Sequence, residues 1–474
     1  MNTYIFQIAG ESIRLSSELL HKYDKVGPRY TSYPTAPEWQ TSFSMKDWQE
    51  AVDRSNQIAN SLSLYFHIPF CHSACYYCAC NFVVSPHNQL ADPYLAALDR
   101  EISFLGKKIA TGRTVKQIHL GGGTPTYLSA EQILDLIRSI KLSFDLSPSP
   151  DQEWSIEVDP RVTCTEQLSK LYAAGFNRVS LGVQDFNLEV QKAVNRIQSF
   201  EMVQSMLSDC RRIGYQSINF DLIYGLPHQT LETFRETIQQ VIALNPDRIA
   251  LFSYAHLPSL RPFQKAYIDE SAMPAPEDKL QLFAEALQAL SLADYEYIGL
   301  DHFAKPGDEL CQARRQRSLQ RNFQGYTTHA GLDLFGLGMT SISSFDGAYA
   351  QNEKRLNRYL EFFADDHQEI SGLPLEKGFI LSPDDFIRRD VIGRLLCHGI
   401  LEIAEIEAKY QINFRTYFEP ELEGIQILQN DELVILEADR LKVTMLGRIF
   451  LRNIGMVFDK YLRLNRNRIF SRTV

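Results

Sequence analysis

Six short apolar runs alternate with helical patterns between about residues 60 and 255 of this 474-residue chain. The runs are 61–68, 115–120, 153–158, 178–184, 217–225 and 248–254. Several are almost continuously apolar, which is typical of strands that are covered on both faces. Six successive strand–helix units predict one parallel sheet with right-handed crossover connections.

Polar or reactive residues lie at or just after nearly every predicted strand. They are Cys71, the glycine-rich turn 121–126, Glu157, Asp159, Gln184, Asp185, Asp221, Ala255 and His256. An open doubly wound sheet and a full or partial barrel both fit the alternation itself. A barrel brings the carboxyl ends of all its strands to one rim, where active sites form. We therefore predict an α/β fold with a partial (β/α)6 TIM-type barrel.

Local signals predict where some helices begin and how the chain is divided. Ser129 with Gln132, and Thr163 with Glu166, each match a capping box, and Gly175 predicts the end of the second helix. We predict an N-terminal extension over residues 1–55 and a barrel domain over 56–370. A small, mainly helical C-terminal domain is predicted over 371–474.

Composition limits the partners. The net charge is −10 and the sequence pI is about 5.6, so phosphate-rich nucleic acids and anionic membranes would repel the chain on average. No run approaches the roughly 20 apolar residues that span a bilayer, and the first residues lack a secretory pattern. We expect a cytoplasmic protein that binds neither nucleic acid nor membrane. In a reducing compartment, clustered cysteines indicate metal or redox chemistry more than disulfides.

Four of the eight cysteines fall within residues 71–80. Cys71, Cys75 and Cys78 have the spacing C-x3-C-x2-C, which lacks the second cysteine pair that a zinc site usually needs. The spacing also differs from thioredoxin-like and ferredoxin motifs. Three thiolates on one loop suit a 4Fe–4S cubane in which the protein holds three irons and one iron stays open. The alternative interpretation is a structural or zinc-binding loop.

Other cysteines and histidines are weaker candidates. Cys80 is too close in sequence to Cys78 to share the cubane comfortably, so it could act in catalysis, assist another ligand or be inert. The isolated cysteines are expected to be small core residues; they are Cys164, Cys210, Cys311 and Cys397. Four histidines near the motifs are expected to be satisfied by hydrogen bonds and not to bind metal: His67, His72, His256 and His302.

At these motifs the sequence resembles the oxygen-independent coproporphyrinogen III oxidases, radical S-adenosylmethionine enzymes of haem biosynthesis. The resemblance runs nearly end to end and includes KYDKVGPRYTSYPTA (22–36), YFHIPFCHSACYYCACN (65–81), LGGGTPTYL (120–128), SIEVDPR (155–161), NFDLIYGLP (219–227) and RNFQGYTT (321–328). Similar haem-chaperone paralogues generally lack Cys80 and the segment 22–35. The resemblance implies oxidative decarboxylation of two propionates of coproporphyrinogen III to vinyl groups, giving protoporphyrinogen IX, through hydrogen abstraction by a 5′-deoxyadenosyl radical.

The resemblance also implies cofactor sites. Cys71, Cys75 and Cys78 would bind the 4Fe–4S cluster, and Cys80 would act in catalysis. One S-adenosylmethionine would be lined by Tyr65, Gly122, Glu157 and Ile342. A second molecule would be lined by Tyr77, Gly123, Thr124, Gln184, Arg196, Asp221 and Ala255. The glycines would let the backbone approach the methionine moiety, where no Cβ intervenes.

The implied substrate is a tetracarboxylate, so an acidic protein needs a local basic surface. Arg29 and Tyr30 are the first candidates for contacting it. The resemblance further implies a monomer and a flavodoxin- or ferredoxin-like electron donor. Two other functions remain open at this stage: a haem-binding carrier that retains the cluster loop, and an iron–sulfur protein that only relays electrons.

Overall fold

The computed structural model describes residues 3–8, 11–146, 151–365, 369–464 and 470–473. Its first elements form a hairpin and two helices, namely β1 (Thr3–Ile8), β2 (Glu11–Ser16), α1 (Ser17–Tyr23) and α2 (Met45–Ile58). From the end of α1 to α2 the chain packs against the C-terminal part of the molecule, and Tyr23, Tyr30 and Tyr33 are buried there.

All six predicted barrel strands are present. The elements from residue 62 to 253 are β3 (Leu62–Ile68), β4 (Phe70–Cys71), β5 (Val83–Val84), α3 (Ala91–Lys108), β6 (Val115–Gly122), α4 (Ala130–Ser143), β7 (Glu153–Val158), α5 (Thr165–Ala174), β8 (Arg178–Gln184), α6 (Leu188–Ala193), α7 (Phe200–Ile213), β9 (Ser217–Tyr224), α8 (Leu231–Leu244) and β10 (Arg248–Ser253).

The middle of the chain adds strands to both edges of this sheet. Its elements are α9 (Pro262–Tyr267), α10 (Pro276–Leu292), β11 (Glu296–Gly299), β12 (His302–Ala304), α11 (Glu309–Arg315), β13 (Gln320–Asn322), β14 (Gly325–Thr327), β15 (Asp333–Leu337), β16 (Ile342–Phe345), β17 (Ala348–Asn352), α12 (Leu356–Phe362) and β18 (Leu375–Ile380). Short 3-10 turns occur at Ala36–Glu38, Asn88–Leu90, Pro125–Tyr127, Glu270–Ala272 and Gly447–Phe450.

The C-terminal elements are mainly helical and surround a three-stranded sheet of order β19–β21–β20. They are α13 (Pro383–His398), β19 (Ile400–Glu402), α14 (Ile403–Tyr410), α15 (Phe414–Tyr417), α16 (Glu419–Asn430), β20 (Val434–Leu436), β21 (Arg440–Val443), α17 (Leu451–Val457) and α18 (Lys460–Leu464).

The main sheet has twelve strands in the order β11–β12–β10–β9–β8–β7–β6–β3–β15–β16–β17–β18. Neighbours from β3 to β10 are parallel, with Leu64 opposite Ile118 and Ile118 opposite Trp154. β15 is parallel to β3, whereas β16 to β18 and β12 pair antiparallel with their neighbours. The predicted partial barrel is therefore confirmed, and antiparallel strands extend both of its edges.

The predicted domain boundaries fall within this continuous packing. Residue 55 lies inside α2, which contacts β16 and β17, and β18 begins just beyond residue 370. The division into three domains stays a prediction. No helix among the described residues is long and apolar enough to cross a bilayer.

One of the two predicted capping boxes is confirmed and the other is wrong. Ser129 Oγ accepts from the Gln132 amide, and Gln132 returns a hydrogen bond to the Ser129 amide. Cys164, and not Thr163, is the N-cap of α5, and its side chain makes no cap bond. Thr163 is instead buried, and its hydroxyl lies 2.9 Å from the Asp159 carbonyl oxygen. Gly175 ends α5 at a φ of 123°, as predicted.

Candidate active site

A cavity of about 450 Å³ lies at the carboxyl ends of the parallel strands and extends into the barrel interior. Most of the predicted site residues line it, namely Cys71, Cys75, Tyr77, Cys78, Cys80, Gly122, Gly123, Thr124, Glu157, Gln184, Arg196 and Asp221. The strand order explains the gathering, because the ends of adjacent parallel strands meet at one rim.

The cysteine loop is fixed at several points along its length. β4 pairs with β5, so the Val83 amide donates to the Pro69 carbonyl at 2.7 Å. The Tyr76 amide donates to the Val194 carbonyl, and the Cys78 amide to the Cys75 carbonyl at 3.1 Å. The loop is thereby held over the barrel before any cofactor binds.

The thiols of this loop fit a cubane cluster. Cys71, Cys75 and Cys78 are free and only partly exposed, and they line the same cavity beside the glycine-rich turn. Among the described residues, no three histidine, cysteine or carboxylate side chains converge closely enough to bind one metal ion. A cubane does not require such convergence, because each cysteine binds a different iron. These three residues would hold the cluster.

The glycine-rich turn is required by protein packing and not only by a ligand. Gly122 has a φ of 118°, and a Cβ on it would lie 2.6 Å from the His67 ring. A Cβ on Gly123 would lie 2.6 Å from the Pro69 carbonyl oxygen. The predicted reason, room for the methionine moiety, is therefore incomplete, since the turn first has to pack against β3 and the cysteine loop.

Glu157 is the penultimate residue of β7 and fixes this turn. Its Oε2 accepts from the Gly122 amide at 3.1 Å, and Oε1 lies 3.4 Å from His119 Nε2. Burial raises the pKa of Glu157, but the hydrogen bond and charge of His119 outweigh burial and leave the pKa below its usual value. The Tyr65 ring stacks on His119 and its hydroxyl lies 3.0 Å from His67 Nδ1, so Tyr65 supports Glu157 from outside the cavity lining.

A charged network next to Cys75 includes one residue that was not predicted from the sequence. Asp159 binds Arg161 at 2.7 Å and Arg196 at 3.1 Å, and each guanidinium also lies 3.5 Å from Cys75 Sγ. Burial raises the pKa of Asp159, but the two arginine charges hold it below its usual value. Arg161 follows Asp159 within the SIEVDPR motif, which was the available signal.

Gln184 and Asp221 lie on the inner rim. Gln184 has a left-handed φ of 68° beside a bulge between β8 and β9, a strained backbone of the kind found at binding sites. Asp221 accepts from Ser180 Oγ and Asn219 Nδ2, both at 2.8 Å. Burial, with the nearby charge of Glu157, raises the pKa of Asp221 to about 6.

Ala255 and Ile342 lie just outside the cavity lining. The Ala255 carbonyl accepts from Gln264 Nε2, which also donates to the Tyr77 carbonyl at 2.9 Å. Gln264 is fully buried and joins the cysteine loop to β10, and no recognisable motif marks it. The Ile342 backbone packs against Gly336, which is opposite Tyr65 in the sheet.

The two predicted substrate contacts lie apart from the cysteine cavity. Arg29 donates to the Ser253 carbonyl at 3.1 Å and lies 3.4 Å from Asp301. Tyr30 is buried and its hydroxyl donates to Asp459 at 3.0 Å. Tyr30 lines a second, larger cavity.

The other histidines and cysteines follow the predictions in part. His67 and His256 are satisfied by hydrogen bonds, as predicted, but His302 Nδ1 is buried without a partner among the described residues. Three isolated cysteines are buried, namely Cys210, Cys311 and Cys397. The prediction is wrong for Cys164, which is exposed because it precedes α5 at the surface.

Comparisons with known proteins agree with this fold. The Radical SAM superfamily model matches residues 65–241, and the HemN C-terminal domain model matches residues 381–450. The molecule is thus a protein of the radical S-adenosylmethionine class, which holds a 4Fe–4S cluster and binds S-adenosylmethionine.

Similar full-length proteins define the class further. Oxygen-independent coproporphyrinogen III oxidase from Synechocystis sp. is 45% identical over 98% of this chain and 99% of that protein. The Escherichia coli protein of the same name is 45% identical over 96% and 98%. A solved structure of E. coli coproporphyrinogen III oxidase (HemN) has a TM-score of 0.87 and covers 92% of this chain and 98% of that one. The chain belongs to the oxygen-independent coproporphyrinogen III oxidase family.

Proposed function

We propose that the chain catalyses the oxidative decarboxylation of two propionates of coproporphyrinogen III to vinyl groups, giving protoporphyrinogen IX. For each vinyl group, one hydrogen atom passes to a 5′-deoxyadenosyl radical, and carbon dioxide and one electron leave the propionate. The observation that carries this proposal is the meeting of the C-x3-C-x2-C loop, the glycine-rich turn, Glu157 and Asp221 in one cavity.

The residues divide into groups by their chemistry. Cys71, Cys75 and Cys78 would hold the 4Fe–4S cluster, which supplies the electron that cleaves S-adenosylmethionine when both are bound. Tyr65, Gly122, Glu157 and Ile342 are proposed to form the first S-adenosylmethionine site. Tyr77, Gly123, Thr124, Gln184, Arg196, Asp221 and Ala255 are proposed to form a second.

Charge and hydrogen bonding support these assignments. Glu157 is ionised and can accept from an ammonium or ribose hydroxyl beside the glycine-rich turn. The Nε of Arg196 is buried without a hydrogen-bond partner among the described residues, so it is available to a ligand carboxylate. The Asp221 carboxylate can accept hydrogen bonds from a ribose diol, which supports its assignment to the second site.

The remaining assignments are proposals of the same kind. Cys80 is proposed to act in catalysis; its thiol is free and it lines the same cavity as the three proposed cluster ligands. Arg29 and Tyr30 are proposed to contact the substrate. A monomer, a cytoplasmic location and a flavodoxin- or ferredoxin-like electron donor are also proposed.

The function can be tested by anaerobic reconstitution with iron and sulfide, followed by reduction with dithionite. We expect 5′-deoxyadenosine, together with vinyl products when coproporphyrinogen III is present. Adenosyl product without vinyl product would indicate another radical substrate. Neither product from a protein with an intact cluster would indicate a carrier or an electron relay.

A further inference from the structure

A cavity of about 900 Å³ lies beside the cysteine cavity. Gln117, Asn322 and Thr327 line both cavities, so a molecule in the larger one is next to the smaller one. Its volume is at the upper end of the range for pockets that hold small molecules. Aromatic side chains on its wall can cover the face of a large ring system; they are Tyr30, Tyr33, Phe323, Tyr349 and Phe386.

The carboxylates that line this cavity are all neutralised by nearby cations. The pairs are Arg113 with Asp333, Arg54 with Asp346, Lys409 with Asp390, Arg317 with Glu402 and Arg394 with Glu405. These ion pairs leave no excess negative charge on the wall.

Two arginines on the same wall have no such partner among the residues that the structure describes. The Nε and Nη1 atoms of Arg321 are buried and make no hydrogen bond to any of those residues, and its guanidinium lies 5.0 Å from the Tyr326 ring centre. Arg389 lies 5.0 Å from the ring centre of Phe386. Of the arginines that the structure describes, these are the two that are at least partly buried and donate no hydrogen bond. Both line the larger cavity.

Unpaired guanidinium groups in a half-buried site are costly, and a bound carboxylate would remove that cost through bidentate hydrogen bonds. The cavity therefore suits a large ring that carries carboxylates on its edge. An arginine that stabilises a carboxylate also opposes its loss as carbon dioxide. Arginine contacts consequently suit propionates that do not react.

We propose that Arg321 and Arg389 bind the propionates of the porphyrinogen that keep their carboxylates. This proposal rests on the proposed function and assigns part of its substrate site. Arg321 begins the RNFQGYTT motif, and Arg389 comes from α13 in the C-terminal part of the chain. The C-terminal elements thereby contribute to substrate binding across the larger cavity.

The test uses the reconstituted full-length protein and three stable porphyrins, with binding followed by fluorescence. Coproporphyrin III has all four propionates, mesoporphyrin IX has ethyl groups in place of the two that react, and mesoporphyrin IX diamide has no carboxylate. Arg321→Gln and Arg389→Gln are compared with the wild type, with lysine variants that keep the charge, and with Arg358→Gln at an exposed position of α12. Thermal unfolding checks that each variant is folded.

We expect each glutamine variant to bind coproporphyrin III and mesoporphyrin IX about tenfold to a hundredfold more weakly, the usual range for a charged hydrogen bond. The lysine variants should recover part of the affinity. The affinity of every glutamine variant for the diamide, and the affinities of Arg358→Gln for all three porphyrins, should match those of the wild type.

Three results would each overturn the proposal: glutamine variants that bind all three porphyrins as the wild type does, an equal loss of affinity for the diamide, or a loss of affinity for coproporphyrin III alone. If the wild type forms vinyl products while both glutamine variants bind normally, the inference fails and the proposed function stands. If the wild type forms no vinyl product, the proposed function fails, and the inference fails with it.

Discussion

At the scale of single residues, Cys78 and Cys80 are two positions apart but have different proposed tasks. We expect Cys78→Ser to lose most of its iron, because a cubane held by two thiolates dissociates. Cys80→Ser should keep about four irons per chain but lose turnover. Iron and sulfide analysis after reconstitution measures the difference, and Cys164→Ser, at an exposed site, is the control. Equal iron loss in both variants would make Cys80 a ligand.

Arg161 is expected to influence the cluster through its contact with Cys75. Positive charge and hydrogen bonds near a cluster sulfur raise the reduction potential, so Arg161→Met should lower it. A shift on the order of 60 mV corresponds to a tenfold change in a one-electron equilibrium. Arg161→Lys should shift it less, and a redox titration followed by electron paramagnetic resonance provides the comparison. An unchanged potential in Arg161→Met would contradict the assignment.

Asp221 is expected to make the stability of the apoprotein depend on pH. Its folded pKa of about 6 is above the usual value, so folding favours the protonated carboxyl. The resulting contribution to the free energy of unfolding is complete below about pH 4 and is lost as pH rises through 6. Asp221→Asn should raise the free energy of unfolding above pH 6 by about 1–2 kcal/mol. Denaturation at pH 4 and pH 8 tests this, with exposed Asp53→Asn as control. A gain of equal size at both pH values would exclude titration of Asp221 as the cause.

At the scale of elements, the segment between α1 and α2 is bound to the C-terminal helices. Arg452 of α17 donates to the Pro28 carbonyl at 3.1 Å, and Asn453 donates to the Tyr23 carbonyl at 2.8 Å. Deleting residues 1–35 would therefore expose buried surface of the C-terminal part. Point substitutions are the better way to study this segment.

Tyr30→Phe isolates one contact of this segment. It removes the hydrogen-bond donor to Asp459, which is 2% exposed, and leaves a buried carboxylate oxygen less well satisfied. We expect the free energy of unfolding to fall by about 1–3 kcal/mol. Chemical denaturation measures it, and Tyr172→Phe at a more exposed position is the control. A loss no larger than that of the control would show that the Asp459 contact contributes little.

At the scale of the whole molecule, one buried ion pair ties together elements that are far apart in sequence. Arg113 binds Asp333 at 2.5 Å, donates to Ser55 Oγ and Asn56 Oδ1, and also donates to the Asn60 carbonyl at 2.8 Å. These contacts join α2 to the beginnings of β3, β6 and β15. The pair therefore fixes the base of the barrel.

Arg113→Met should lower the free energy of unfolding by about 3–5 kcal/mol, because it leaves Asp333 buried without a counter-charge. Arg138→Met, which breaks an exposed pair with Asp135, should cost at most about 1 kcal/mol. Denaturant unfolding of both variants gives the comparison. Similar losses in the two would mean that the buried pair does not hold the barrel together.

The sequence alone determined the six parallel strands, the Ser129 cap and the cysteine loop, because local periodicity and short motifs encode these features. Most of the site residues predicted from strand ends and from the family resemblance do line the cysteine cavity, and the strand-end residues do so because the ends of parallel strands share one rim. Tertiary structure alone decided the role of Thr163, the exposure of Cys164 and the contact of Arg161 with Cys75. It also decided that Arg321 and Arg389 have no hydrogen-bond partner in the described parts of the chain. Those properties depend on which distant groups approach each side chain, and a pattern of neighbouring residues does not contain that information.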